Sequence, residues 1–177
     1  SVYGEGFVYD AMAAIIIANE LGVSIDNCVR DIKIFEGKDG RFKKLVYGNV
    51  TMINDAYNAN PVSMRMSIET FKKVYGEGYY TIAIFGDMKE LGTVTKERHM
   101  EIGKLVKECN FNEVYYVGDN IADFGIGNHI ESADEVAALL NTKLQGLRDK
   151  KVAILIKGSH SLGLYQVPDF LKKLGAV

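Results

Sequence analysis

The apolar residues near the start of the chain predict a helix that is buried on more than one side. Residues 8–21 carry apolar side chains on nearly every helical face, and Gly22 follows, a residue type that commonly lies just beyond the last turn of a helix. Such a helix normally lies inside a larger layer, yet no predicted strand precedes it. We therefore expect a fragment that lacks the upstream partner of this helix; the alternative is a domain that begins with a core helix.

A second short helix and a polar segment are predicted next. Residues 24–33 have a helical pattern, with Ser24 as the N-cap and with Val29 and Ile32 turned inward. The polar, glycine-rich residues 36–40 follow and form the best candidate for a linker. We therefore expect a boundary between two structural units in this segment.

From residue 41 onward, the pattern predicts strands that are followed by helices. Two β-rich runs, 41–47 and 50–54, are separated by Gly48 and Asn49, which predicts a hairpin. The later predicted strands are continuous apolar runs, as is typical of a parallel sheet with helices on both faces. The sequence therefore predicts an α/β fold with a mostly parallel sheet. Its remaining predicted elements are helices at 61–75, 95–109, 133–144 and 164–174 and strands at 79–85, 113–117 and 151–156.

The composition narrows the classes of protein that fit. Of the 177 residues, 47% are hydrophobic, and 21 basic against 23 acidic residues give a formal net charge of −2. This balance excludes a disordered chain and argues against a nucleic-acid binder, which would carry a surplus of Lys and Arg. The longest uninterrupted apolar run, residues 11–18, is shorter than the roughly 20 residues that cross a membrane. Cys28 and Cys109 fit no metal-binding spacing and are expected to be free thiols in a reducing compartment.

Polar and glycine residues collect just after four predicted strands. In open α/β sheets, ligands bind beyond the carboxyl ends of the strands, so these residues are candidates for a site. After the strand at 113–117, turn formation is the preferred explanation for Asp119 and Asn120. The other three groups are richer in functional side chains than turns require, and they lie at residues 55–61, 86–92 and 157–160.

The motifs that are absent from the sequence limit what this chain does by itself. It has no GxxxxGK[ST] loop, the loop that grips a nucleotide triphosphate. His99 lies in a predicted helix and is expected at the surface or at a cap rather than on a metal ion. We therefore expect no metal site, and we expect the chain to present groups to a nucleotide that is bound elsewhere.

Two long strings in these groups are distinctive. Residues 54–64 read Asn-Asp-Ala-Tyr-Asn-Ala-Asn-Pro-Val-Ser-Met, and residues 86–92 read Gly-Asp-Met-Lys-Glu-Leu-Gly, with His99 downstream. These strings resemble signatures of the Mur ligases, most closely of the MurF type. Shorter matches are Gly40-Arg41 and Lys157-Gly158-Ser159, and residues 8–14 resemble the last helix of the family's central ATPase domain. The resemblance implies that residues 1–36 are the helical tail of that domain plus a linker. It also implies that residues 37–177 are the Rossmann-like C-terminal domain.

The resemblance implies an ATP-dependent amide ligase of peptidoglycan precursor synthesis. In that family, ATP and Mg²⁺ convert the carboxylate of a UDP-N-acetylmuramoyl peptide into an acyl phosphate, and the amine of D-Ala-D-Ala attacks it with loss of phosphate. Here, ATP and Mg²⁺ are expected to be held mainly by the missing central domain. The enzyme is expected in the cytoplasm, with the missing N-terminal and central domains as further partners and no nucleic acid or membrane. The fragment alone is expected to be inactive. The alternatives are a related Mur-type ligase with another amino-acid acceptor and a stand-alone, non-catalytic module that binds a nucleotide or a peptide.

The resemblance assigns five residues to the nucleotide side of the cleft. Arg41 is expected to be catalytic and to reach the γ-phosphate, because a guanidinium fork suits a phosphate. Asp55 is expected to accept hydrogen bonds from the ribose hydroxyls. Tyr57, Asn58 and Asn60 are expected to line the same cleft, near the adenine or the phosphates.

Five further residues are assigned to the acceptor side. Lys157, Ser159 and His160 are expected on the side of the cleft that receives the amino acid or dipeptide, and His160 stands where the family usually has Arg. Asp87 and Glu90 are expected either to contact the dipeptide or to order the loop around it.

Overall fold

A computed structural model describes residues 5–35 and 38–175. The expected boundary between residues 36 and 37, and with it part of the predicted linker, lies outside the described residues. No helix in the described part is both long and apolar enough to cross a membrane. The helices and strands are α1 (Glu5–Glu20), α2 (Ile25–Ile34), β1 (Lys43–Tyr47), β2 (Val50–Asn54), α3 (Pro61–Tyr75), β3 (Tyr80–Gly86), α4 (Thr95–Glu108), β4 (Glu113–Val117), β5 (Asn128–His129), α5 (Ala133–Gln145), β6 (Val152–Lys157) and α6 (Val167–Lys173).

One sheet organises the described chain, with the strand order β1-β2-β6-β3-β4-β5. Five strands, β2, β6, β3, β4 and β5, run parallel to one another. The first strand, β1, pairs with β2 antiparallel through the predicted hairpin, with Tyr47 opposite Val50. The predicted α/β fold with a mostly parallel sheet is therefore confirmed. The carboxyl ends of β2, β6 and β3 lie side by side, so the loops that follow them meet at one edge.

Helices cover both faces of the sheet, because the central strands are apolar on both sides. In β3, Ala83 and Phe85 pack into the core that includes α3 and α4, whereas Ile82 and Ile84 pack into the core that includes α5 and α6. Each fully buried aliphatic or aromatic side chain contributes about 1.5–3 kcal/mol to folding. The two cores therefore hold the strands in fixed positions, and the strands anchor the loops at the carboxyl edge.

The first two helices differ from their predicted burial. On α1, the exposed side chains include Val8, Tyr9, Met12, Ile16 and Ile17, so the expected burial on several sides does not occur against the described chain. The prediction that two α2 residues turn inward is also wrong, since Val29 is 40% exposed and Ile32 is 38% exposed. Burial of an apolar side chain depends on which element covers it, and no described element covers these residues.

Three smaller differences concern the later elements. The last predicted helix is a 3₁₀ turn at Leu164–Gln166 followed by α6, and the two-residue strand β5 was not predicted. His99 is fully buried rather than at the surface. Its Nδ1 lies 2.7 Å from the carbonyl oxygen of Thr95, and its Nε2 accepts a hydrogen bond from the backbone N–H of Met88 at 3.1 Å. A histidine with both ring nitrogens partnered in this way is compatible with the core.

The carboxylate of Asp87 joins the ends of three strands. It is fully buried, and it accepts hydrogen bonds from the backbone N–H of Ile121 (2.7 Å), from Lys89 Nζ (2.8 Å) and from Asn120 Nδ2 (3.0 Å). Its backbone carbonyl accepts a hydrogen bond from the N–H of Ser159 at 3.1 Å. The loops after β3, β4 and β6 are therefore held in one arrangement.

Strands β3 and β6 approach each other closely where they end. A Cβ atom at Gly158 would lie 2.8 Å from Cα of Gly86 and 3.0 Å from its backbone nitrogen. Contacts shorter than about 3 Å are well inside the optimal separation of 3.5–4.0 Å. Only residues without a side chain allow the two loops to start this close together.

We predict that Gly158→Ala destabilises the fold by about 1–3 kcal/mol, since the new methyl group meets backbone atoms that cannot rotate away. The matched control is Gly146→Ala at the C-cap of α5, where the new Cβ would meet nothing closer than an oxygen at 3.6 Å. Urea unfolding of both variants measures the effect. An equal free energy of unfolding for the two variants would contradict the close approach.

A second prediction concerns the pH dependence of stability. Burial alone would raise the pKa of Asp87, but hydrogen bonds from Lys89, Asn120 and the N–H of Ile121 outweigh burial and hold the pKa below its ordinary value of 3.8. A lowered pKa means that the charged form stabilises the fold above pH 3.8, and that this stabilisation is lost as the pH falls through the folded-state pKa.

We therefore expect Asp87→Asn to lower the free energy of unfolding by about 1–3 kcal/mol at pH 7 and to have a smaller effect at low pH. Urea unfolding of the wild type and the variant across a pH series measures this difference. A difference that stays constant from pH 7 down to pH 3 would show that the charge of Asp87 is not the stabilising feature.

Candidate active site

The candidate site lies at the carboxyl edge of the sheet. Three loops meet there, after β2, β3 and β6, and the turn before β1 joins them because Lys43 pairs with Asn54 at the end of β2. Each predicted site residue lies in one of these segments, except Lys157, which is the last residue of β6. The sequence motifs therefore converge on one region.

The centre of this region is the ammonium group of Lys157. The side chain is 2% exposed, and Nζ lies 2.8 Å from Oδ2 of Asp55. The same Nζ donates to the carbonyl oxygens of Asp55 (3.3 Å) and Asn58 (3.0 Å). An ammonium group has three donors, so these three acceptors saturate it. Lys157 therefore fixes the loop after β2 in place.

Asp55 extends this network to the turn before β1. Its Oδ1 accepts a hydrogen bond from the backbone N–H of Phe42 at 2.9 Å, while Oδ2 pairs with Lys157. Phe42 is buried and has a φ of 50°, a conformation that is uncommon for any residue other than glycine. The hydrogen bond to Asp55 and the burial of the Phe42 ring hold this turn.

The turn presents Arg41 to solvent. Gly40 has a φ of 72°, and its carbonyl oxygen accepts a hydrogen bond from the backbone N–H of Tyr57 at 2.9 Å. The guanidinium carbon of Arg41 lies 4.3 Å from the centre of the Tyr57 ring. Within residues 5–35 and 38–175, Arg41 forms no ion pair with an acidic side chain. Arg41 and Asp55 lie in the same loop cluster, and the Arg41 charge is open to an anionic ligand.

The two asparagines of the loop after β2 have partners in the chain. Asn60 caps α3, because its Oδ1 accepts from the N–H of Ser63 at 2.8 Å and the Ser63 hydroxyl accepts from the N–H of Asn60 at 3.1 Å. Asn58 Oδ1 accepts from the N–H of Ala59 at 2.8 Å. Both asparagines are exposed, so they shape the loop and still face solvent.

The residues predicted on the acceptor side divide into buried and exposed groups. Ser159 is buried, and its hydroxyl accepts a hydrogen bond from the N–H of Lys89 at 3.1 Å, whereas Asp87 is buried in the network described above. Glu90 is exposed, with a φ of 64°. His160 is also exposed, and its ring lies 5.5 Å from that of Tyr57. The exposed pair is open to a ligand.

Sequence reasoning missed two residues of this region. Tyr165 stacks on His160 with ring centres 4.5 Å apart, but it lies in what reads as the first turn of a helix. Phe42 adopts its unusual backbone conformation without any signal in the sequence. No group of three His, Cys, Asp or Glu side chains that could hold a metal ion occurs in the part of the chain that the structure describes.

Curated relatives align along nearly the whole chain. It is 27% identical over 177 residues to the UDP-N-acetylmuramoyl-tripeptide--D-alanyl-D-alanine ligase of Escherichia coli, covering 97% of this chain and 38% of that protein. It is 31% identical to the enzyme of the same name from Haemophilus influenzae, covering 96% of this chain and 38% of that protein. The chain thus spans less than half the length of these relatives.

Solved structures share the fold. A MurF structure from Acinetobacter baumannii superposes with a TM-score of 0.83 at 24% identity, covering 96% of this chain and 38% of that one. MurF ligase from Thermotoga maritima in complex with ADP superposes with a TM-score of 0.81 at 24% identity, covering 98% of this chain and 39% of that one. The predicted Rossmann-like fold is therefore confirmed.

The family model described as "Mur ligase, glutamate ligase domain" matches residues 40–160. This range begins at the turn that presents Arg41 and ends at His160, so it contains every residue of the candidate site that the sequence predicted. Together with the motifs, the match confirms the predicted family: the chain belongs to the Mur ligases.

Proposed function

We propose that this chain is the C-terminal part of an ATP-dependent ligase that joins D-Ala-D-Ala to a UDP-N-acetylmuramoyl peptide in peptidoglycan precursor synthesis. The observation that carries the proposal is the position of Arg41. Its guanidinium is exposed and has no acidic partner in the described chain, and it lies beside the loops that Asp55 and Lys157 hold together. The names of the two relatives above support the choice of substrates. ATP and UDP-linked precursors are cytoplasmic metabolites, so we propose a cytoplasmic location.

We propose that residues 1–36 end the central ATP-binding domain and that residues 37–177 form the C-terminal domain. The apolar side chains on α1, such as Ile16 and Ile17, support this division because they remain exposed against the rest of the described chain. A surface of that kind is typical of an interface. The N-terminal and central domains would then be partners of this chain within one protein.

Arg41 is proposed to bind the γ-phosphate of ATP during formation of an acyl phosphate. A guanidinium presents parallel N–H donors that match two phosphate oxygens, and it neutralises charge that moves during the transfer. Bound ATP, with Mg²⁺, would supply the phosphoryl group that makes a carboxylate a better acyl donor. We assign none of the described residues to Mg²⁺ and propose that the central domain holds ATP and the metal ion for the most part.

Asp55 is proposed to accept hydrogen bonds from the ribose hydroxyls. Each of its carboxylate oxygens already has one donor, Phe42 N–H or Lys157 Nζ, and each retains a second lone pair. Tyr57, Asn58 and Asn60 border the same opening and are proposed to line the nucleotide cleft. The internal hydrogen bonds of this loop would hold its acceptors in place before the nucleotide arrives.

On the acceptor side, we propose direct contact for the exposed Glu90 and His160. Lys157, Ser159 and Asp87 are buried and occupied by partners within the chain, so we propose that they serve acceptor binding by ordering the loops. The amine of the acceptor would attack the acyl phosphate at this edge of the sheet. The amide bond forms as the acyl C–O bond breaks, inorganic phosphate leaves, and the amine nitrogen gives up a proton. Orientation of the two reactants here is the contribution that this domain makes to the rate.

Phosphate release by the full-length protein tests the function. We expect ATP- and UDP-N-acetylmuramoyl-peptide-dependent phosphate release that requires D-Ala-D-Ala. The 177-residue chain alone is the control and is expected to release none. Release with another amino acid but not with D-Ala-D-Ala would favour a related Mur-type ligase, and no release with any acceptor would favour a non-catalytic binding module.

The role of Arg41 generates a separate prediction. Arg41→Ala in the full-length protein is expected to lower turnover at least 100-fold, a loss of about 2.7 kcal/mol in transition-state stabilisation. Arg148→Ala is the matched control, because Arg148 is also exposed but lies before β6, at the opposite edge of the sheet. Steady-state kinetics measure both variants, and near wild-type turnover in Arg41→Ala would refute the phosphate contact.

A further inference from the structure

Four side chains from three separate segments form one continuous stack at the carboxyl edge of the sheet. The guanidinium of Arg41 lies over the ring of Tyr57, with its central carbon 4.3 Å from the ring centre. The ring of Tyr57 meets that of His160 edge to face at 5.5 Å and 70°. His160 lies almost parallel to the ring of Tyr165, at 4.5 Å and 16°. We call these four residues the Arg41 stack.

Both ends of the Arg41 stack are fixed to the backbone. At one end, the N–H of Tyr57 donates to the carbonyl oxygen of Gly40, the residue before Arg41, at 2.9 Å. At the other end, the buried Asn54 donates through Nδ2 to the carbonyl oxygen of Tyr165 at 2.8 Å. The Tyr165 hydroxyl accepts a hydrogen bond from Gln166 Nε2 at 2.9 Å. The rings are therefore held from the chain on both sides.

An exposed arginine without such a stack would sample many rotamers. Its side chain is long, and in the described chain no acidic residue restrains it. A ring face attracts the guanidinium through cation–π interaction, and the second and third rings limit how far the first can turn. The result is a guanidinium that is ordered before an anion binds, which reduces the entropy lost on binding.

We propose that His160 and Tyr165 are positioning residues that act through Tyr57 to orient Arg41 towards the transferring phosphoryl group. The proposal rests on the proposed function, in which Arg41 binds the γ-phosphate. It gives the exposed His160 a second role beyond contact with the acceptor. It also connects the loop after β6, on the acceptor side, to Arg41, on the nucleotide side. Neither the Gly40-Arg41 motif nor the Lys157-Gly158-Ser159 motif indicates this connection by itself.

A double-mutant cycle in the full-length protein tests the proposal. His160→Ala is expected to lower kcat about tenfold. His160→Phe keeps a ring beside Tyr57 but loses the imidazole nitrogens, so it is expected to keep kcat within about twofold of the wild type while it raises KM for the acceptor. In an Arg41→Ala background, His160→Ala is expected to change kcat by less than about twofold, since there is no guanidinium left to orient. Tyr165→Ala is expected to follow the same pattern, with Tyr165→Phe as its conservative variant.

Two kinetic results would overturn the proposal. The first is a His160→Ala variant with a raised KM for the acceptor and an unchanged kcat, which is the result expected if His160 only contacts the acceptor. The second is a reduction in kcat that is equally large with and without Arg41, because additive effects mean that the two residues act independently.

A spectroscopic measurement separates failure of the stack from failure of the proposed function. In arginine-labelled full-length protein, the side-chain protons of Arg41 are expected to be shifted upfield by the Tyr57 ring current, and Arg41→Lys identifies the signal. Tyr57→Leu is expected to abolish the shift, and His160→Ala to reduce it by more than half, while His160→Phe preserves it. A shift that is absent, or unchanged in His160→Ala, would overturn the stack even if no ligase activity is found.

Discussion

The buried ammonium group of Lys157 is the constraint on which the site depends. A charge with 2% of its side chain exposed must be neutralised and hydrogen-bonded, and removal of a partner from such a pair typically costs 3–5 kcal/mol. Asp55 and the carbonyl oxygen of Asn58 satisfy it, and Asp55 in turn binds the N–H of Phe42. One buried charge therefore joins the end of β6, the loop after β2 and the turn before β1.

The same constraint separates the residues of the family motifs into buried residues that hold the loops and exposed residues that are open to a ligand. Lys157, Ser159 and Asp87 carry the polar atoms that attract attention in the sequence, yet each is buried and has partners within the chain. The groups that remain open to a ligand are the neighbours of these residues, Arg41 and His160 among them. A polar motif at a strand end thus contains two kinds of residue, and burial tells them apart.

Periodicity predicted the sheet and most helices because the apolar core determines them locally. The strand β4 has the predicted ends, and Ser24 caps α2 as expected. Predictions failed where a distant part of the chain decides the outcome. Val29 and Ile32 are exposed because no described element covers them, and His99 is buried because the backbone of Met88 and Thr95 provides partners for its ring.

The Arg41 stack could not be predicted either, because distant parts of the chain form it. Tyr165 lies more than 100 residues from Arg41 in the sequence, and only the parallel pairing of β2 with β6 brings their loops together. A charged side chain that is oriented before its ligand arrives needs rigid neighbours, because a group that reorganises during a reaction stabilises the transition state less. The buried hydrogen bonds of Lys157 fix the loops that carry Arg41 and Tyr57, and the aromatic rings restrain the Arg41 side chain itself. The position of Arg41 is therefore a property of the whole edge of the sheet rather than of the Gly-Arg pair that identifies it in the sequence.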